Sequence, residues 1–177
     1  LYESLLLQSE QSVDGESENV DAIIYQLARA NDLVGDGERT LHYLNRLVAE
    51  YPDSEFIPEA RFRRAEIMFS ADDYRAASAD YGYVVNLGKE TPYYRNASYM
   101  LGWSEFKRSR FDEGLHQFFN VVDDTLAASD AAELDAINQE LLEDSFRVVT
   151  LALAYLDGPM TLADEMRKRG KPDWQYM

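Results

Sequence analysis

The sequence predicts an all-α fold, an α-α superhelix in which antiparallel helix hairpins stack into a solenoid. Three observations carry this. Ala65, Tyr74, Ala77, Tyr81 and Val84 recur 37 residues later as Gly102, Phe111, Gly114, Phe118 and Val121, and 37 residues earlier Ala28, Thr40, Leu44 and Leu47 stand at the matching places. A period of this length repeated three times is the signature of stacked helical units. Within each unit a small residue recurs in the first helix (Ala28, Ala65, Gly102) where a partner helix must approach closely, and in the second helix Ala77 and Gly114 fill the facing contact with Tyr81 and Val84 or Phe118 and Val121 one and two turns on, the small-against-large pattern that packs two helices without voids. Turn-forming residues fall between the apolar stretches, at Gly35-Asp36-Gly37, Ala71-Asp72-Asp73 and Ser109-Arg110.

The elements follow in order. Residues 1–11 carry a helical apolar face that would finish a preceding unit, and residues 12–21 read as a polar linker turning at Gly15. The array starts near Asn19. Its first hairpin runs from Ala22 through the Gly35 turn to Tyr51, where Pro52 stops it by pushing the preceding residue out of helical angles. Asp53 and Ser54 are expected to cap the next helix, and Pro58 suits its first turn. The second hairpin ends around Gly88, and Thr91-Pro92 opens the third. After Val122 the register breaks. Residues 136–156 form one long predicted helix with Leu141, Phe146, Val149, Leu153 and Leu156 on or near one stripe, ended by Asp157-Gly158-Pro159. A short helix over residues 160–169, closed by Gly170, completes a degenerate fourth hairpin. The division is therefore residues 1–20, a partial helix and linker; 21–128, three hairpins; and 129–177, the fourth hairpin and a truncated end. Both ends read as cuts through a larger protein.

These anchor positions resemble the tetratricopeptide repeat (TPR). The segments YPDSEFIPEARFRRAEIMFSADDYRAA and YRNASYMLGWSEFKRSRFDEGLHQFF are especially similar to those of large, multi-repeat bacterial envelope proteins of that superfamily. The resemblance covers roughly residues 21–128 and implies a right-handed solenoid that binds proteins rather than transforming substrates. It also implies a periplasmic or outer-membrane-associated setting. The usual TPR unit is about 34 residues, so three further residues per unit imply longer loops or an extra helical turn. The third copy lacks the closing proline, with Leu126 in its place.

Composition sets outer limits. A net charge of −16, from 33 acidic and 17 basic side chains, repels nucleic acid phosphates and anionic lipid and favours basic partners or simple solvation. The absence of cysteine excludes disulfides, thiolate metal sites and cysteine nucleophiles, and fits either a reducing cytoplasm or the envelope. No apolar run reaches membrane-spanning length. The basic residues from Arg61 to Arg110 concentrate mid-array, whereas residues 112–144 hold ten acidic residues and no lysine or arginine.

No catalytic, cofactor or metal constellation emerges. His42 and His116 occupy equivalent places two units apart, too far to share an ion held by bonds of about 2 Å. The carboxylate pairs Asp72-Asp73, Asp123-Asp124 and Glu143-Asp144 are sequence neighbours, which point in different directions on a helix and do not flank one bond. Asn96-Ala97-Ser98 fits a glycosylation triplet but lies within a predicted helix.

The expected binding face lies on the first helices. Tyr25, Phe62 and Tyr99 form a ladder three residues before the small anchors, and Arg29, Glu66 and Trp103 follow one residue after them. These six are the candidate partner-binding groove for a protein or peptide. In the TPR resemblance, Tyr25, Phe62 and Tyr99 stand where a carboxylate-clamping lysine would be needed, so a receptor for chaperone tails is disfavoured. Three roles fit the sequence: a non-catalytic scaffold, a structural spacer packed on neighbouring repeats of its own polypeptide, or the accessory region of an enzyme or regulator whose active domain lies elsewhere.

Overall fold

The structure, a computed structural model, describes residue 4 and residues 19–129 and 136–170. The expectations for the partial helix and linker at residues 1–3 and 5–18 and for the truncated end after Gly170 lie outside the described residues. Eight helices are bounded: α1 (Val20–Leu33), α2 (Gly37–Glu50), α3 (Ile57–Ser70), α4 (Tyr74–Asn86), α5 (Tyr94–Lys107), α6 (Phe111–Ser129), α7 (Ala136–Tyr155) and α8 (Gly158–Lys168). The helices α1, α3 and α5 start 37 residues apart, as do α2, α4 and α6. The chain divides into two compact units, Leu1–Tyr93 with α1 to α4 and Tyr94–Met177 with α5 to α8.

The hairpin turns repeat at the level of the backbone. Gly35, Asp72 and Ser109, again 37 residues apart, all adopt the left-handed conformation, with φ of 76°, 60° and 63°. Each turn is closed by the same hydrogen bond five residues back: Asp36 N to Asn31 O, Asp73 N to Met68 O, and Arg110 N to Glu105 O, all 2.9 Å. This satisfies carbonyls that a helix end leaves unpaired. Asp36 and Asp73 then cap the following helix, accepting from Arg39 N at 3.0 Å and Ala76 N at 3.1 Å. In the third turn Arg110 occupies the capping place, which its side chain cannot fill as an acceptor; it binds Glu113 in the first turn of α6 instead.

Helices α1 and α2 have 14 residues each, so the rest of the 37 falls in the turn and in residues 51–56. The expected caps at Asp53 and Ser54 are a correction. Phe56 holds the N-cap place of α3 without a side-chain bond, and Ser54 Oγ accepts from Phe56 N at 3.3 Å within the connection. Pro58 does enter the first turn of α3. Beyond Val122, α6 continues to Ser129, and α8 begins at Gly158, earlier than expected, because Asp157 stands at its N-cap place with Pro159 just inside.

In the first unit, Ile24, Leu27 and Ala28 of α1 pack with Leu44 and Leu47 of α2 and with Ile57 and Ala60 of α3. In the second, Leu115, Phe118 and Phe119 of α6 meet Val148, Val149 and Ala152 of α7 and Met166 of α8. Each fully buried Leu or Phe contributes about 1.5–3 kcal/mol of hydrophobic stabilisation. The periodic anchors Ala28, Ala65, Gly102, Leu44, Tyr81, Phe118, Leu47, Val84 and Val121 are all buried.

Candidate functional site

The six sequence-predicted residues divide between the two units. In the first, Tyr25 is buried and stacks on Phe56, ring centroids 4.5 Å apart, because α1 turns it toward the connection before α3. Its hydroxyl and that of Tyr93 both bind the Glu59 carboxylate, which also accepts Arg63 Nε at 2.8 Å. Burial and Glu59 push both tyrosines up to about 12. Burial raises the Glu59 carboxyl as well, but bonds from Tyr25, Tyr93 and Arg63 outweigh it and hold the group below its ordinary value. Phe62 is half-buried, edge-on to Tyr81 and stacked with Tyr93. Arg29 is exposed, its guanidinium 5.9 Å from the Tyr25 ring centre. Glu66 is exposed too, yet surrounding protein and the nearby Asp32 raise its carboxyl, with Arg63 opposing them.

In the second unit, Tyr99 lies edge-on to Phe118 and Trp103 and gives its hydroxyl to Asp144 of α7. Trp103 packs edge-on to Phe106 and Phe118. One flank of its ring remains open and helps to line a groove of about 540 Å³, whose other walls are Arg147, Val148, Thr150, Leu151 and Ala154 of α7. The groove thus opens between the first helix of the third hairpin and the first helix of the fourth. Val148 forms a buried floor, and Leu151 is 43% exposed.

The α7 wall is what sequence reasoning missed. Arg147, Leu151 and Ala154 recur at helical spacing of four and three residues, which marks a second stripe beside the one expected to be buried. That signal was present but was masked by the longer apolar run.

Other candidate groups are absorbed by packing. Arg61 and Arg64 of α3 clamp Asp80 of α4, Arg63 reaches Asp32 of α1, and Arg95 of α5 pairs with Asp124 of α6. Four of the nine basic residues from Arg61 to Arg110 thus pair from helix to helix. His42 is exposed and lies edge-on to Tyr43. His116 Nδ1 stands 2.8 Å from Glu165 Oε1, beside Arg169, which joins α8 to Asp123 and Asn120 of α6. Asn96 is exposed on α5, while Ser98 is buried in the same helix. Among the described residues, no group of three or more His, Asp or Glu side chains is placed to hold a metal, and no helix is long and apolar enough to cross a membrane.

Hairpins of this period, joined by a recurring left-handed turn and packed small against large, define an all-α, TPR-like helical repeat. Solved structures carry the same likeness. BtubC (BKLC) from P. vanneervenii superposes with a TM-score of 0.65 at 14% identity, over 96% of this chain and 70% of that one. The TPR-like repeats of a putative kinesin light chain from Podosopora anserina give 0.59 at 16% identity, over 94% and 82%. MamA from Desulfovibrio magneticus RS-1 gives 0.58 at 18% identity, over 94% and 82%. At these identities the likeness is one of fold. No family model and no curated protein matches the chain in sequence.

Proposed function

We propose that this chain is a non-catalytic scaffold module that holds a peptide or protein partner on the first helices of its hairpins. The observation that carries the reading is the open groove beside Trp103, an apolar hollow walled by two first helices in a repeat fold. Its size falls within the range of about 300–1,000 Å³ common to ligand pockets. A setting in the bacterial envelope goes with this reading through the sequence resemblance. Of the six predicted residues, Trp103 faces the groove. Arg29 and Glu66 offer exposed charge on the first unit, and Tyr99 packs edge-on to Trp103.

A second reading, a spacer packed on its own polypeptide, draws on the burial of Tyr25 and the ring contacts of Phe62 and Tyr99, which use these aromatics internally. Affinity capture from lysate of the source organism separates the two. The native chain is run beside Leu151→Asp and beside the Phe62→Ala/Tyr99→Ala pair, with circular dichroism to verify helicity. A polypeptide held by the native chain and lost with Leu151→Asp is the expected result. A polypeptide held equally by the native chain and Leu151→Asp would overturn the groove assignment, and an identical, empty capture from both would favour the spacer.

A further inference from the structure

Resting on the interaction reading above, we propose that the groove between α5 and α7 takes an acidic amphipathic segment of a polypeptide partner. One large apolar side chain sits over Val148 between Trp103 and Leu151, and a carboxylate about one helical turn away meets Arg147.

The wall chemistry selects this occupant. Trp103, Val148, Leu151 and Ala154 supply apolar surface, and Thr150 directs its hydroxyl back to Phe146 O at 3.0 Å, so it adds no donor to the groove. Among the described residues, Arg147 is the charged residue of the lining and no acid belongs to it. Its side chain is 78% exposed. Asp144, which it pairs with, also accepts the Tyr99 hydroxyl. A guanidinium has five N–H donors in a planar fork, so one contact with a shared carboxylate leaves donors for a second. Arginine with carboxylate is the pairing this geometry favours, since two parallel bonds form at once.

The surroundings fix where the acid stands. Glu143, one turn before Arg147, is exposed and bonded by Gln139, and Glu140 near it is exposed as well. A partner carboxylate is therefore confined to the Arg147 end, with its apolar neighbour toward Leu151. The chain's overall charge of −16 opposes an acidic partner at a distance. Charges farther than a Debye length of about 8 Å are largely screened at physiological salt, so Asp144 and Glu143 are the acids that the partner's contacts with Arg147 and the apolar wall have to outweigh.

The test uses the full chain with Trp174→Phe, which leaves Trp103 as the sole tryptophan and its emission as the reporter. The probes are three synthetic helical peptides: one with leucine and, one turn away, glutamate; its lysine-for-glutamate twin; and its alanine-for-leucine twin. The glutamate peptide is expected to shift Trp103 emission and to bind at least about tenfold more tightly than the lysine twin. Arg147→Glu should invert that order, and the alanine twin should fail. Equal binding of the two charge twins, with both lost in Leu151→Asp, would overturn the acidic assignment and leave the groove as a docking site. Failure of all three probes, or binding indifferent to Leu151→Asp, would overturn the groove reading itself.

Discussion

At Gly114 the two helices of the third hairpin approach until a methyl group has no room. A Cβ there would stand 2.9 Å from the Gly102 carbonyl oxygen and 3.4 Å from Phe106 N, both backbone atoms that cannot swing aside. Alanine favours a helix interior over glycine by about 1 kcal/mol, whereas overpacking a tight contact costs about 1–3 kcal/mol. Steric cost wins here, so Gly114→Ala is expected to lower the urea midpoint. Gly82 is the control: it lies inside α4 with nothing within 4 Å of its virtual Cβ, and Gly82→Ala should raise the midpoint. A second residue-level expectation concerns Glu165, buried at the contact of α6 and α8. Burial raises its carboxyl, but hydrogen bonds to His116 and Arg169 outweigh that and hold it below the ordinary carboxylate value. A depressed folded-state value contributes stability that is present above about pH 4.5 and lost as pH falls through the folded value. Unfolding of the native chain should therefore lose stability more steeply below that pH than unfolding of Glu165→Gln, measured by chemical denaturation at successive pH values. Parallel curves would show that the carboxylate contributes nothing.

Among the elements, the middle hairpin is built differently from its neighbours. Where the first copy has Ile24, Leu27 and Tyr43, and the third Ser98, Leu101 and Gln117, the second has Arg61, Arg64 and Asp80. Arg64 grips Asp80 with Nε at 2.5 Å and Nη2 at 2.7 Å, Arg61 adds Nη1 at 2.9 Å, and the Asp80 side chain is only 3% exposed. Arg61 also lies over the Tyr83 ring at 4.0 Å. Removing one member of a buried ionic group costs about 3–5 kcal/mol, while apolar replacement of the whole group is often neutral. The arginines are 23% and 15% exposed and can partly rehydrate, so Asp80→Ala is expected at the lower end, about 3 kcal/mol. Combining Arg61→Ile, Arg64→Leu and Asp80→Tyr, the first copy's own residues, should recover at least half of that loss in urea melts. The hairpins themselves were legible because small and large residues recur at one interval, and their helices start at that same interval. The ion cluster was not, because a period shows which residues are equivalent but not that a charge has entered the packed face. Tyr25 illustrates the same limit. Its offset matches Phe62 and Tyr99, yet Phe56 in the neighbouring connection covers it, as Tyr93, 37 residues after Phe56, covers Phe62; a period marks these rings as equivalent without saying whether they face a partner or each other.

Over the whole molecule, a repeat array behaves as a nearly one-dimensional system in which stability is the sum of unit terms and nearest-neighbour terms. The packing of α1 to α4 falls within one compact unit and that of α5 to α8 within the other. Asp80→Ala acts inside the first and Gly114→Ala inside the second. Amide hydrogen exchange can read each place separately, since protection follows the local opening free energy. Under native conditions Asp80→Ala should accelerate exchange in α3 and α4 and leave Leu115 to Val122 of α6 close to native. Gly114→Ala should accelerate α5 and α6 and leave Leu44 and Leu47 of α2 close to native. If the losses are local, the double variant's change in urea stability should equal the sum of the single changes within about 0.5 kcal/mol, the margin for independent sites. Acceleration spread evenly over all eight helices by either substitution would mean that the chain opens as one cooperative block, and the repeat description of its energetics would fail.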